Sequence, residues 1–187
     1  MTADELRSGL FLVASPTLRD PNFARTVVLL CEHEDDEGSM GVVVNRPSDL
    51  KLSQTLTDIR PGVDQPLFWG GPVQRDIVLV LHRGDLEIPE SRPICDGMAL
   101  GGDQEALLEI VRDPALGAGQ VRVYSGYAGW GAGQLAGEMS AKSWITCAAQ
   151  ARFVFDLDPS EVWAEVLRSM GPRYAYLAAV PLDPRVN

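Results

Sequence analysis

"RTVVLLCEHEDDEGSMGVVVNRP", residues 25–47, decides the fold. Two apolar runs rich in Val and Leu, 26–33 and 40–46, flank the acidic segment "EDDEGS". Short apolar runs bounded by turn residues read as strands, and Gly38 is free to take a positive φ in the connection. The stretch is therefore expected to form a β-hairpin. Strand alternation places Val27, Leu29, Cys31 and His33 on one face and Val28, Leu30 and Glu32 on the other. Both faces begin apolar, so the strand is buried on both sides and turns polar only at its end. Cys31 and His33 then lie ~6.5 Å apart along the strand, close enough to line one pocket. One reading is chemical: a thiolate stabilised by imidazolium, or half of a metal site. The other is a core cysteine beside a strand-end histidine, since free cysteine is among the most buried residue types.

Working outward, "LFLVAS" (10–15) reads as a strand ended by Pro16, and "LSQTLTDI" (52–59) as a short helix. "PLFWGGP" (66–72) and "IVLVLH" (77–82) read as a second strand pair around a tight Gly-Gly-Pro turn. "DQEALLEIVRD" (103–113) carries Leu107, Ile110 and Val111 at helical spacing before Pro114. "QVRVYSG" (120–126) alternates as a strand, and "GAGQLAGEMSA" (131–141) places Ala132, Leu135, Ala136 and Met139 on one helical face. "ARFVFDL" (151–157) is assigned as a strand. In "DPSEVWAEVLRSMG" (158–171), Asp158 is the N-cap, Pro159 sits at N1 and Glu161 at N3. Val162, Trp163, Val166, Leu167 and Met170 form its buried stripe, and Gly171-Pro172 ends it. The tail "YAYLAAVPL" fits a short helix or a strand. The order is not a regular βα alternation. It implies an α+β fold, one domain over 1–187, with a mostly antiparallel curved sheet or partial barrel and helices packed outside.

The chain has 187 residues, 45% apolar and 22% charged, which suits one globular domain with a sizeable core. Its apolar runs fall far short of a membrane span, and its acidic N-terminus is unlike a secretory signal. The three cysteines, Cys31, Cys95 and Cys147, are an odd number without CxxC spacing. No disulfide framework is expected, and the protein is placed in the cytoplasm, with no membrane association. The net charge of −10 opposes DNA unless the Arg residues gather on one face. Direct DNA binding is therefore disfavoured.

Three further segments bear on function. Asn45 and Arg46 end a strand at "NRP", where an Arg holds a carboxylate or phosphate, or pairs with one of the many acids. "YSGYAGWGAGQ" (124–134) reads as a Gly-rich turn between strand and helix, whose backbone N–H groups would favour an anion. It lacks the GK[ST] of a P-loop, and too few residues follow for a dinucleotide domain. Ser125 sits in no GxSxG elbow. The competing reading is that its glycines let Tyr127 and Trp130 pack closely on the sheet. "WGGPVQ" (69–74) is a tight turn beside an aromatic.

The combination CEH, GxMGxVxNRP, GGPV, LH and GYAGWGxGQL, in that order, resembles the YqgE/AlgH family of bacterial proteins from about residue 8 to 187. The family's signature positions map here onto Arg25, Cys31, His33, Gly41, Asn45, Arg46, Pro47, Gly70, Gly71, Pro72, His82, Gly126, Gly129, Trp130, Gly131, Gln134 and Glu138. The resemblance implies a single α+β domain with a sheet-rich core. One branch carries a name tied to transcriptional regulation of alginate production, a genetic association. Gly101-Gly102 stands where many members have a Ser or Thr pair, a departure expected to weaken the N-cap of the 103–113 helix.

Together these readings point to a non-catalytic regulatory or binding protein, with no cofactor and no metal assigned. The alternative is a thiol-dependent redox sensor or enzyme using Cys31 with His33. The candidate binding residues are Cys31, His33, Asn45, Arg46, Gly70, Gly71, Pro72, Ser125, Gly126, Trp130, Gly131 and Gln134. They are expected to converge on one concave surface. The guest expected there is an anionic small molecule or a protein partner's acidic end.

Overall fold

The computed structural model describes residues 6–55, 64–113 and 119–180. Its strands are β1 (Leu10–Ala14), β2 (Val27–Glu34), β3 (Gly38–Val43), β4 (Pro47–Lys51), β5 (Pro66–Trp69), β6 (Val73–Arg83), β7 (Arg92–Cys95), β8 (Met98–Leu100), β9 (Val121–Trp130) and β10 (Trp144–Ala148). Its helices are α1 (Gln104–Arg112), α2 (Gln134–Ser140), α3 (Ala151–Phe155), α4 (Pro159–Ser169) and α5 (Pro172–Ala175). The sheet runs β10-β1-β2-β3-β9-β6-β8-β7, antiparallel at every step. β5 pairs β4 antiparallel and β9 in parallel. The architecture is the α+β fold expected, a curled half-barrel sheet with helices outside.

Period-two alternation divides the core into two faces. Phe11 and Val13 of β1, Val27 and Leu29 of β2, and Val42 of β3 face one side, where Phe153, Val162, Trp163, Val166 and Leu167 cover them. Leu12, Ala14, Val28, Leu30 and Val43 face the other, against Leu135 of α2 with Trp130 and Trp144. A third cluster puts Val111 of α1 over Val121 and Val123. Each fully buried aliphatic side chain here contributes about 1.5–3 kcal/mol of transfer free energy. α4 starts as its sequence dictates. Asp158 accepts from the Ser160 N–H at 2.8 Å, Pro159 occupies the first turn, and Val162, Trp163, Val166 and Leu167 are buried.

Several expectations are corrected. β5 and β6 do not form a hairpin: β9 takes the place beside both, parallel to β5 and antiparallel to β6. "YSGYAGW" is strand, not turn, because β9 continues to Trp130 to reach β3. "ARFVF" is helical. Phe153, Val154 and Phe155 are all buried, and a short helix wedged against the sheet satisfies that better than an alternating strand, overriding β propensity. The helix at 52–59 is one 3₁₀ turn at Leu52–Gln54, and residues 56–59 lie outside the described residues. Gly101-Gly102 does not weaken α1: Asp103 is its N-cap and accepts from the Ala106 N–H at 2.9 Å.

Candidate functional site

The hairpin that decides the fold carries an irregularity. The β2–β3 register steps from Leu30↔Gly41 to Glu32↔Met40, so Cys31 is the extra residue of a β-bulge. An inserted residue resets the alternation. Cys31 stays with Val27 and Leu29 in the core, 3% exposed. His33 pairs with Ser39 and lines a small recess with Leu135 and Ala136 of α2, on the opposite face. The expected thiol–imidazole pairing on one face is thus not formed. The Cys31 Sγ lies 3.5 Å from the Leu29 carbonyl, and burial pushes the thiol up to about 12. It holds its proton near neutral pH, where a nucleophile must lose it. The His33 Nε2 lies 3.2 Å from the Asp35 carboxylate, and Nδ1 is 2.8 Å from the Ser39 hydroxyl.

Asn45 and Arg46 sit at the far end of the hairpin. The Asn45 Oδ1 accepts from the Val27 N–H at 2.9 Å, and its Nδ2 donates to the Arg25 carbonyl at 3.0 Å. The Arg46 guanidinium donates to the Pro21 and Ala24 carbonyls at 2.9 and 3.0 Å and lies 5.4 Å from the centre of the Trp69 ring. It is committed to backbone carbonyls and holds no ion pair among the described residues. It closes the loop before β2. Six strand steps separate Val27 from His33, about 20 Å.

Gly70, Gly71 and Pro72 lead from β5 into β6 and cross β9 backbone to backbone. A Cβ on Gly71 would stand 2.0 Å from the Tyr127 carbonyl carbon. Gly126, at φ 70°, would put one 2.7 Å from the Gly71 carbonyl oxygen. The Gly70 N–H donates to the Ser125 carbonyl at 2.9 Å, and the Ser125 hydroxyl donates to the Arg75 carbonyl at 2.6 Å. These glycines are required by close approach of two strands.

Trp130, Gly131 and Gln134 cluster at the other end of β9, beside Ser39. The Trp130 and Trp144 indole N–H groups both donate to Glu138 Oε2, at 3.0 and 2.7 Å, and the Gln134 Nε2 donates to Oε1 at 3.0 Å. The Gly131 N–H is already taken by the Gln134 Oε1, at 3.1 Å. Phe23 packs on both indoles, with ring centres 6.3 and 5.5 Å away. Apart from Cys31, which is in the core, the candidate residues thus fall into two groups, one around Asn45–Arg46, Gly70–Pro72 and Ser125–Gly126, the other around His33 and Trp130–Gln134. They do not share one surface.

A larger concavity is lined by Trp130 alone among the candidate binding residues. A cleft of about 640 Å³ opens on the sheet face that carries Cys31. Met40, Val73, Ile77, Leu79 and Tyr127 give it apolar walls, and Glu32, Glu34 and Glu37 edge it. The same bulge puts Glu32 on this face, opposite Met40. β6 opens the other side, since its register with β9 jumps from Val73↔Tyr127 to Val78↔Ser125. At that break Ile77 and Val78 are 39% and 55% exposed. Among the described residues, no three His, Cys, Asp or Glu side chains are grouped to hold a metal ion.

The AlgH-like family model matches residues 11–175. This chain belongs to the AlgH-like family. A UPF0301 protein of Chlorobaculum tepidum is 42% identical over 183 residues, covering 97% of this chain and 96% of that protein. One from Thermobifida fusca is 37% identical, with 96% and 95% covered. The solution structure of the AlgH protein from Pseudomonas aeruginosa superposes with a TM-score of 0.72 at 34% identity, covering 97% of each chain. A crystal structure from Corynebacterium diphtheriae shares the fold, with a TM-score of 0.77 at 24% identity over 95% of this chain and 94% of that one.

The AlgH-like motifs are explained mostly by architecture: Asn45, Arg46, Gly71, Gly126 and Glu138 hold strands and loops together. The cleft residues missed in the sequence had one visible signal. Five of the six residues 32–37 are acidic, and Ile77 follows "QRD" as the first apolar residue of a run.

Proposed function

We propose that this AlgH-like chain is a non-catalytic binding protein of the cytoplasm. Its working surface is the cleft between the end of the β2–β3 hairpin and β6, and any regulatory role acts through what that cleft takes up. One observation carries the reading. The apolar walls, including the exposed Ile77, are continuous with the core through Met40 and Leu79. A concave apolar patch framed by charged groups is the usual form of a binding site. Thiol chemistry at Cys31 with His33 lacks support, since the two side chains face opposite sides of the sheet and the thiol is buried. An anionic guest is not part of this reading, because Arg46 is committed to loop carbonyls and carboxylates edge the cleft. Direct DNA binding is left out on the net charge of −10. Among the described residues no helix is long and apolar enough to cross a membrane.

The test is photo-crosslinking in cells from benzoylphenylalanine placed at Ile77, with the comparably exposed Leu50 as control. A discrete adduct from position 77 that is missing from position 50 is the expected result. Equal labelling from both positions would sink the proposal.

A further inference from the structure

We infer that the occupant of the cleft is a cationic peptide segment of a partner protein, anchored by an apolar side chain; this rests on the cleft being the binding site. The argument is charge placed against apolar surface. Glu32, Glu34 and Glu37 all edge the cleft from the hairpin side, while Val73, Ile77 and Leu79 wall it from β6. Glu32 already draws the Arg92 guanidinium. Glu34 and Glu37 hold no ion pair among the described residues. Asp35 and Asp36 lie between them, and the whole chain carries −10. An incoming anion meets this field unfavourably, and an ammonium or guanidinium meets it favourably. A Lys or Arg side chain also brings an apolar stem that lies along such walls while its head reaches the rim. The volume of about 640 Å³ takes a few side chains and not a folded domain. An extended segment with an apolar anchor flanked by Lys or Arg fits both the walls and the rim.

The probes are three fluorescein-labelled peptides of about twelve residues: one alternating Leu and Lys, one with Glu for Lys, one with Gln for Lys. Each is titrated into the ¹⁵N-labelled full chain. The Lys peptide is expected to bind about tenfold more tightly than the Gln peptide at low salt and to weaken as salt rises. Its shift changes are expected to centre on Gly38–Met40 and Tyr127–Trp130. Joint Glu34→Gln and Glu37→Gln substitution is expected to weaken it about fivefold, as is Ile77→Ser. Glu105→Gln with Glu109→Gln on α1 is expected to leave it unchanged. If the Gln or Glu peptide matches the Lys peptide with shifts in the cleft, the cationic partner is wrong and the cleft reading stands. If shifts scatter and both pairs of Glu variants weaken binding alike, only net charge is at work and the inference fails. If sedimentation shows a dimer that Ile77→Ser dissolves, the occupant is a second copy and the inference fails. No shifts in the cleft from any peptide, with no adduct from position 77, would remove both readings.

Discussion

Removing the Glu138 carboxylate strips two buried indoles of their acceptor. Trp130 and Trp144 are 5% and 4% exposed, and their N–H groups converge on one oxygen of Glu138 at 3.0 and 2.7 Å. A hydrogen bond to a charged acceptor contributes about 1.5–3 kcal/mol net, and an orphaned buried donor costs a comparable amount. Two such donors set an upper range of about 3–6 kcal/mol. Glu138 itself is only partly buried, so water enters the vacated space and recovers part of the loss. Glu138→Ala is therefore expected to destabilise by about 2–4 kcal/mol, and Glu138→Gln, which keeps one acceptor oxygen, by about half of that. Urea denaturation followed by far-UV circular dichroism gives both values. A double-mutant cycle with Trp144→Phe should return a coupling of about 1–2 kcal/mol, because Phe removes the donor while keeping a ring against Phe23, and the cycle cancels the cost of the smaller ring. Glu138→Ala within about 0.5 kcal/mol of wild type would refute the account, leaving the indoles satisfied by packing alone.

Other predictions concern the core and its edges. Gly71→Ala should cost more than about 2 kcal/mol, since its Cβ would stand 2.0 Å from the backbone of β9; a thermal melt within two degrees of wild type would contradict the crossing. Cys31 and Cys147, pushed by burial to about 12 and about 11, should resist iodoacetamide in the native protein at pH 8 and react once urea is added. Their folded values lie above the ordinary 9.0, so the contribution is whole below pH 9 and stability falls as pH rises past it; melts at pH 8 and pH 10.5 measure the loss. The Asp158 carboxyl is held below its usual 3.8 by hydrogen bonds from Ser160, so its contribution is present above that pH and disappears as acid protonates it. Asp158→Asn should flatten that part of the acid limb, and an unchanged limb would rule out the cap as its source. Arg46→Ala should free the Pro21 and Ala24 carbonyls, and the loop at 16–26 should then be cut faster by trypsin at Arg19 and Arg25 than in wild type.

Local chemistry made the hairpin and α4 legible. Gly38 and two Val-rich runs specify one, and Asp158-Pro159 with a four-residue buried stripe specifies the other. What was not legible depends on distant partners. β10 forms only because β1 offers it a register, Leu10↔Ala148 to Ala14↔Trp144. β5 and β6 look like a hairpin until β9, some fifty residues later, takes the place beside both. The Cys31 bulge is set by the shift from Gly41 to Met40 on the facing strand, so nothing within β2 itself announces that His33 will turn away. The same cause hid the cleft. Its walls come from β3, β6 and β9, and no single stretch of sequence holds more than a fragment of it.

β9 is the strand on which the sheet depends, and it comes late in the chain. It pairs with β3, with β6 and with β5, yet begins only at Val121. During synthesis the first hundred or so residues leave the ribosome without the strand that lies between β3 and β6, so β1–β2–β3 and β6–β8–β7 each keep an unpaired edge and apolar surface open to water. Docking β9 joins them in one step, and the contacts it makes span large separations in sequence, which slows folding. The nascent protein therefore has a vulnerable interval that ends only when β9 has emerged. Nonsense truncation before Val121 should yield insoluble fragments rather than a smaller folded core.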